Sequence, residues 1–318
     1  MLHKVRKQAI LILLVIVAII AGCVQKKEPP VSSDIIAKFF ATTEELSSLI
    51  KQKDIVVIDA RSAEDFQKLH IQNAVNIPKS QFREPKALNE ILKYKSENGF
   101  FIPPAMAEKI LGNAGIDANT RVIVYDSITF PDASIIWALL KYYGHDNVQV
   151  LKGGFEKWVS EGRSVSSMPS KIQKKSFVAK PRIEMVASRE WLIKNRENVI
   201  ILDMRSFDEY VGVNPAGNPR GGHLPGAVSL DWTHLAGNET VKSPAEIQAI
   251  LAEAGVTKNK EVVAYCNIGF GRSTYGMMVL SMLGYNARVY GGSFEDWSNA
   301  DDLEVATTKI GSFKDWRQ

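Results

Sequence analysis

Asp54-Ile55-Val56-Val57-Ile58-Asp59-Ala60-Arg61 returns later in the chain as Asn198-Val199-Ile200-Ile201-Leu202-Asp203-Met204-Arg205. Each copy is a short apolar run rich in β-branched residues, and each ends in Asp-x-Arg. Runs of this kind, apolar at successive positions, predict strands buried on both faces, as in a parallel sheet. Further matches follow in the same order. His70-Ile71-Gln72-Asn73-Ala74-Val75 pairs with His223-Leu224-Pro225-Gly226-Ala227-Val228, and Arg121-Val122-Ile123-Val124-Tyr125-Asp126 with Glu261-Val262-Val263-Ala264-Tyr265-Cys266. Apolar segments of helical length come next, at residues 135–143 and 275–284. Gly153-Gly154-Phe155-Glu156-Lys157-Trp158 then matches Gly292-Ser293-Phe294-Glu295-Asp296-Trp297.

Strands alternating with helices imply βαβ units and a parallel sheet covered on both faces. The sequence therefore predicts an α/β fold of two tandem domains, each a parallel sheet flanked by helices, over residues 41–163 and 183–308. Residues 164–182 are rich in Ser, Lys and Pro and read as a connector. Residues 309–318 form a C-terminal tail. The copies differ most before His223, where the second inserts Val211-Gly212-Val213-Asn214-Pro215-Ala216-Gly217-Asn218-Pro219-Arg220. Inserted loops of this type usually carry specificity.

The chain has 318 residues, 45% apolar and 23% charged, enough for two domains that each bury a core. Its net charge is +4. Lys4, Arg6 and Lys7 supply three of those charges, so the remainder is nearly neutral and gives no electrostatic reason to expect a nucleic-acid partner. The segment around those cations has the form of an export signal. A basic start precedes an apolar stretch of fourteen residues, Ala9 to Gly22, which is short for a membrane span. Ile20-Ala21-Gly22-Cys23 resembles the lipobox of bacterial lipoproteins, which implies cleavage after residue 22, lipid on Cys23 and export to a membrane surface. Residues 23–40 then read as a tether. An uncleaved anchor with a chance cysteine is the alternative.

The second of the two cysteines is Cys266. With Cys23 lipidated it has no thiol partner in the chain, and a lone thiol in an exported protein invites a reactive role. A small buried structural cysteine is the competing reading. Position 266 decides between them. Cys266 ends a predicted strand and is followed by Asn267-Ile268-Gly269-Phe270-Gly271, then a helix. Two glycines free to take positive φ let such a loop gather its N–H groups around one centre, beside a helix N-terminus. An anion is favoured there, and a thiolate is an anion. The first copy has Asp126 at the same place, so one site per chain is expected.

The combination of Asp-x-Arg, Gly222-His223-Leu224-Pro225-Gly226-Ala227, a strand ending in cysteine, and Gly292 through Trp297 resembles the rhodanese family. Its tandem form resembles thiosulfate and 3-mercaptopyruvate sulfurtransferases, with an inactive first copy. The resemblance covers most of the mature chain. It implies that Cys266 takes a sulfane sulfur from a small-molecule donor, holds it as a persulfide and passes it to a thiophilic acceptor such as cyanide or a thiol, with no cofactor or metal. It also implies a donor-binding role for Arg205 and places residues 267–271 and Arg272 around the donor. Arg205 reads equally as the partner of Asp203. Arg61 reads as structural, Arg220 as a solvated loop charge with anchoring of the donor as the alternative, and His70 and His223 as makers of structural hydrogen bonds. The loop departs from the family's familiar Cys-Arg-Lys-Gly and Cys-Gly-Ser-Gly forms, which leaves the donor's identity open. Cys266-x-x-Gly269-x-x-Arg272-Ser273 also fits the phosphate loop of cysteine phosphatases. A non-catalytic sulfur carrier is a third reading.

Overall fold

The computed structural model describes residues 32–82, 102–127 and 131–308. The expected signal segment, Cys23 and the tail at 309–318 lie outside the described residues. No helix among the described residues is long and apolar enough to cross a membrane. The first repeat contributes β1 (Phe40–Ala41), β2 (Ile55–Asp59), β3 (His70–Ile71), β4 (Val75–Asn76), β5 (Arg121–Tyr125), β6 (Val148–Leu151) and β7 (Val165–Ser166). The second contributes β8 (Val186–Ala187), β9 (Val199–Asp203), β10 (Val228–Ser229), β11 (Glu261–Tyr265) and β12 (Ala287–Tyr290).

The two main sheets are parallel throughout and share one topology, β1-β6-β5-β2-β4 in the first repeat and β8-β12-β11-β9-β10 in the second. Even the register repeats: Asp59 sits opposite Tyr125, and Asp203 opposite Tyr265. This pairing explains the Asp-x-Arg motif. In each copy the tyrosine hydroxyl donates to the aspartate, whose carboxylate also accepts from the backbone and guanidinium of the arginine two residues on. The tyrosine oxygen in turn accepts the N–H of Ile71 or Leu224. A buried carboxylate would be costly alone, and these donors satisfy it.

Helices Asp132–Tyr142 and Arg272–Met282 follow β5 and β11 and are buried almost all round. A helix apolar on every side must pack against protein on every side. Here both belong to a single hydrophobic core that joins the two repeats. Their equivalent hydroxyls meet, Ser134 Oγ lying 2.8 Å from Thr274 Oγ1, and Ser134 also donates to the carbonyl of Gly271 at 3.1 Å. Smaller clusters cover the outer face of each sheet.

Two stretches are more ordered than their composition suggested. The tether expected over 23–40 ends early, because Ser32 caps a helix at Ser33–Phe39 and Phe40 begins β1. Ile36 and Phe39 of that helix pack on the core. The connector at 164–182 is bound to the first repeat: β7 pairs with β3, Lys175 donates its backbone N–H to Gly112, and Lys180 and Arg182 do so to Tyr143 and Tyr142. A side chain on residue 112 would come within 2.7 Å of the Lys175 carbonyl, so this approach requires glycine.

Candidate active site

Cys266 stands at the carboxyl end of β11, beside β9. After β9 the chain goes to β10 on one side and to β11 on the other, so the crevice between the ends of β9 and β11 is the switch point of the sheet. Ligands of open parallel sheets bind there. The side chain is fully buried. Gly269 and Gly271 take φ of 82° and 79°, and those two left-handed residues curl the loop back over the cysteine. Sγ lies 3.4 Å from the Phe270 carbonyl and 3.4 Å from the hydroxyl of Ser273, in the first turn of helix Arg272–Met282. The carbonyl can partner only the protonated thiol. The hydroxyl serves both forms, accepting from the thiol and donating to the thiolate.

The backbone of the cysteine is pinned as well. Its N–H donates to Ser293 Oγ at 3.2 Å, and its carbonyl accepts the N–H of Phe294 at 3.0 Å. Ser293 has φ of 55°, where the first repeat has Gly154 at 58°. A serine in the left-handed region is strained, and here the strained residue holds the backbone of the nucleophile. The inserted loop closes over the same site, with Asn218 donating to the Asn267 side chain at 2.6 Å.

The arginines divide between the frame and the site. Arg205 is fully buried, and its Nε and Nη2 donate to Asp203 while Nη2 also reaches the Gly222 carbonyl. Its guanidinium lies 3.9 Å over the Phe294 ring. Burial works against its charge, but Asp203 more than offsets this and raises its pKa. Of the two readings of Arg205, the pairing with Asp203 is the one its Nε and Nη2 make, while its Nη1 is buried with no hydrogen-bond partner among the described residues. Arg61 repeats the arrangement with Asp59, the Leu69 carbonyl and Phe155. Arg220 is no solvated charge either. It donates to the carbonyls of Trp297, Ser298, Ala300 and Leu303, closing the end of helix Ser293–Ser298.

Arg272 does lie at the site, heading the helix whose next residue, Ser273, touches Sγ; burial works against its charge, but the Glu209 bond and then the Cys266 charge raise its pKa. It is also paired. Nη1 and Nη2 contact the two Glu209 oxygens at 2.5 and 3.1 Å, and the Glu209 side chain is only 6% exposed. Burial alone would raise the pKa of Glu209, yet the bonds and charge of Arg272, with help from Ser206, hold it below the usual carboxylate range. Glu209, Ser273 and Ser293 were missed from sequence. Their signals were thin: a Ser206-x-x-Glu209 cap, the serine after Arg272, and a serine where the repeat has glycine. His223 is buried, stacks on Tyr210 and bonds through Nδ1 to the Tyr210 carbonyl at 2.8 Å. His70 makes the equivalent bond to Phe66.

Asp126 occupies the cysteine's position in the first repeat. Its carboxylate accepts the N–H of Ala133 at 2.7 Å, and its backbone carbonyl accepts that of Phe155. Burial, followed by the charges of Asp132, Glu156 and Asp59, pushes its pKa well above the usual range despite the Ala133 bond.

Comparison with known proteins agrees with this duplication. A model of the rhodanese-like domain matches residues 42–161 and again 188–300. A Mycobacterium bovis protein named "Putative thiosulfate sulfurtransferase 1" is 32% identical over 222 residues, 67% of this chain and 79% of that protein. The sulfur carrier protein TtuD of Thermus thermophilus is 31% identical over 65% of this chain and 78% of its own length. Among solved structures, an anaerobic ergothioneine biosynthesis enzyme from Chlorobium limicola superposes with a TM-score of 0.74 at 20% identity, covering 86% of this chain and 71% of that one. At that identity the likeness concerns the fold.

Proposed function

This chain belongs to the rhodanese-like family, and we propose that it transfers sulfane sulfur through a persulfide on Cys266. The observation that carries this reading is the placement of Cys266 at the switch point, under a loop wrapped around Sγ, with Asp126 at the same place in the other repeat. The thiolate attacks the outer sulfur of the donor. A Cys266–sulfur bond forms, the donor's sulfur–sulfur bond breaks, and its electron pair leaves on sulfite when the donor is thiosulfate. A thiophilic acceptor such as cyanide or a thiol then attacks the outer sulfur of the persulfide, and the thiolate returns. The Ser273 hydroxyl can donate to the thiolate at both ends of the cycle. The M. bovis relative bears thiosulfate in its name, which supports thiosulfate as an assay donor.

Mass spectrometry after incubation with a sulfane donor tests this. One sulfur atom should appear on Cys266, disappear on adding cyanide, and be absent from Cys266→Ser, which removes the thiolate with little change of volume. Thiocyanate formation surviving in Cys266→Ser overturns the assignment. Hydrolysis of an aryl phosphate, with no sulfur taken up, would instead favour the phosphatase reading of Cys266 and Arg272. We also propose, from the sequence of residues 1–23, that lipid on Cys23 holds the protein at a bacterial membrane surface. Cys23→Ser should then release it from the membrane fraction.

A further inference from the structure

We propose that the Cys266 site takes sulfane donors carrying a single negative charge in preference to dianions such as thiosulfate, and that Glu209 sets this preference. The inference rests on the sulfur-transfer reading and names the donor class of that same site. Three arginines were candidates to hold an anionic donor, and each already has acceptors within the protein, although the buried Nη1 of Arg205 has none. Arg205 is enclosed with Asp203, and Arg220 serves four carbonyls at a helix end. Arg272 opens the helix whose next residue, Ser273, touches Sγ, and the two oxygens of Glu209 take both of its amino groups. The loop over Sγ, Asn267 to Gly271, carries no charge.

The charges therefore cancel between Arg272 and Glu209, and the reacting thiolate leaves the site negative. At a given distance a dianion meets twice the repulsion of a monoanion, and a buried pair is screened little by salt. What remains for a donor is the Nε edge of Arg272, which the Glu209 bonds do not take, suited to one anionic end. A thiosulfonate ion has this form, an uncharged organic group on a sulfonyl that bears one terminal sulfur. Its reaction balances: the Cys266 thiolate bonds the terminal sulfur, the bond from that sulfur to the sulfonyl breaks, and the electron pair leaves as sulfinate.

The experiment compares sulfur uptake from methanethiosulfonate ion and from thiosulfate, as kcat/KM, in the full-length protein and in Glu209→Gln. The wild type should favour methanethiosulfonate by about tenfold or more, and removing the carboxylate charge should move the ratio at least about fivefold toward thiosulfate. Glutamine keeps the shape and can still close the cap on Ser206. An unchanged ratio in Glu209→Gln overturns the inference. So does a wild type that uses thiosulfate as well or better, a result that needs no variant to fold. In both cases sulfur still reaches Cys266 and the sulfur-transfer reading stands. Absence of sulfur on Cys266 with either donor overturns that reading, and the inference with it.

Discussion

Asp126 and Cys266 end equivalent strands, lead into equivalent helices and hold the backbone of equivalent third elements, yet their surroundings have diverged at every position the chemistry uses. Where the second repeat has Arg272 and Ser273, the first has Asp132 and Ala133; where it has Glu209 and Ser293, the first has Asp65 and Gly154. The buried carboxylate of Asp126 takes a helix N–H, while the thiol of Cys266 meets a hydroxyl and a carbonyl. Asp132, standing where Arg272 stands, pairs with Lys79 at 3.0 Å. The first repeat thus keeps the strand, the turn and the Asp-Tyr-Arg brace, all of which serve folding. It has lost the cation, the hydroxyl and the thiol, which serve a reaction. Its helix packs in the core that joins the two repeats.

The largest effect expected from altering this contrast is on stability. A carboxyl whose folded pKa lies above its ordinary value near 3.8 contributes stability that is complete below that value and is lost as pH rises toward the folded pKa. Asparagine cannot ionise and can still accept the Ala133 N–H. Asp126→Asn should therefore gain on the wild type as pH rises, by up to about 1.4 kcal/mol per pH unit between the two pKa values. Urea unfolding of both proteins from pH 4 to pH 8 measures the gap. A gap independent of pH would mean that Asp126 is not held neutral by burial.

Much of this architecture could be read directly. Period, β-branching and repetition placed β2, β5, β9 and β11 and both long helices, because a strand buried on both faces leaves a continuous apolar run. Cys266 was legible by contrast with Asp126. The partners of Arg220 and Arg272 were not, because the fate of a guanidinium depends on what folds against it. Glu209 meets Arg272 across 63 residues, and Ser134 meets Thr274 across 140. Arg205 could be read only as an even choice between Asp203 and a donor, and the fold pairs it with Asp203. The helix at Ser33–Phe39 was hidden by its brevity, although Ser32 carries a cap signal.

A smaller effect should follow from cutting the link between the repeats. The Ser134 hydroxyl lies within hydrogen-bond reach of the carbonyls of Pro131 and Gly271 and of the Thr274 hydroxyl. Gly271, held there at φ 79°, begins the helix that carries Arg272 and Ser273. Ser134→Ala should cost about 1–1.5 kcal/mol of stability. It should also slow sulfur uptake by roughly fivefold as the loop loses its anchor. Ser134→Thr, which places in the first repeat the residue found in the second, should restore the rate. If Ser134→Ala loses stability but keeps its rate, the hydroxyl serves packing alone.

The smallest effect expected is none at all, from Asp126→Cys. The thiol would arrive at the right end of the right strand, so its silence would measure what the surroundings contribute. Ala133 offers no hydroxyl where Ser273 stands 3.4 Å from Sγ. The sequence Ser127-Ile128-Thr129-Phe130-Pro131 lacks the glycines that curl the second loop, and Pro131 has no N–H to give. Asp132 puts a negative charge where Arg272 puts a positive one, and the Asp132 and Glu156 charges that push Asp126 toward its neutral form would do the same to a thiol. A buried thiol facing carboxylates stays protonated and unreactive at neutral pH. Mass spectrometry of Asp126→Cys after exposure to a sulfane donor should therefore show one added sulfur per chain, on Cys266. A second persulfide, on residue 126, would show that position alone makes the site and that the arginine, hydroxyl and glycines of the second repeat are dispensable.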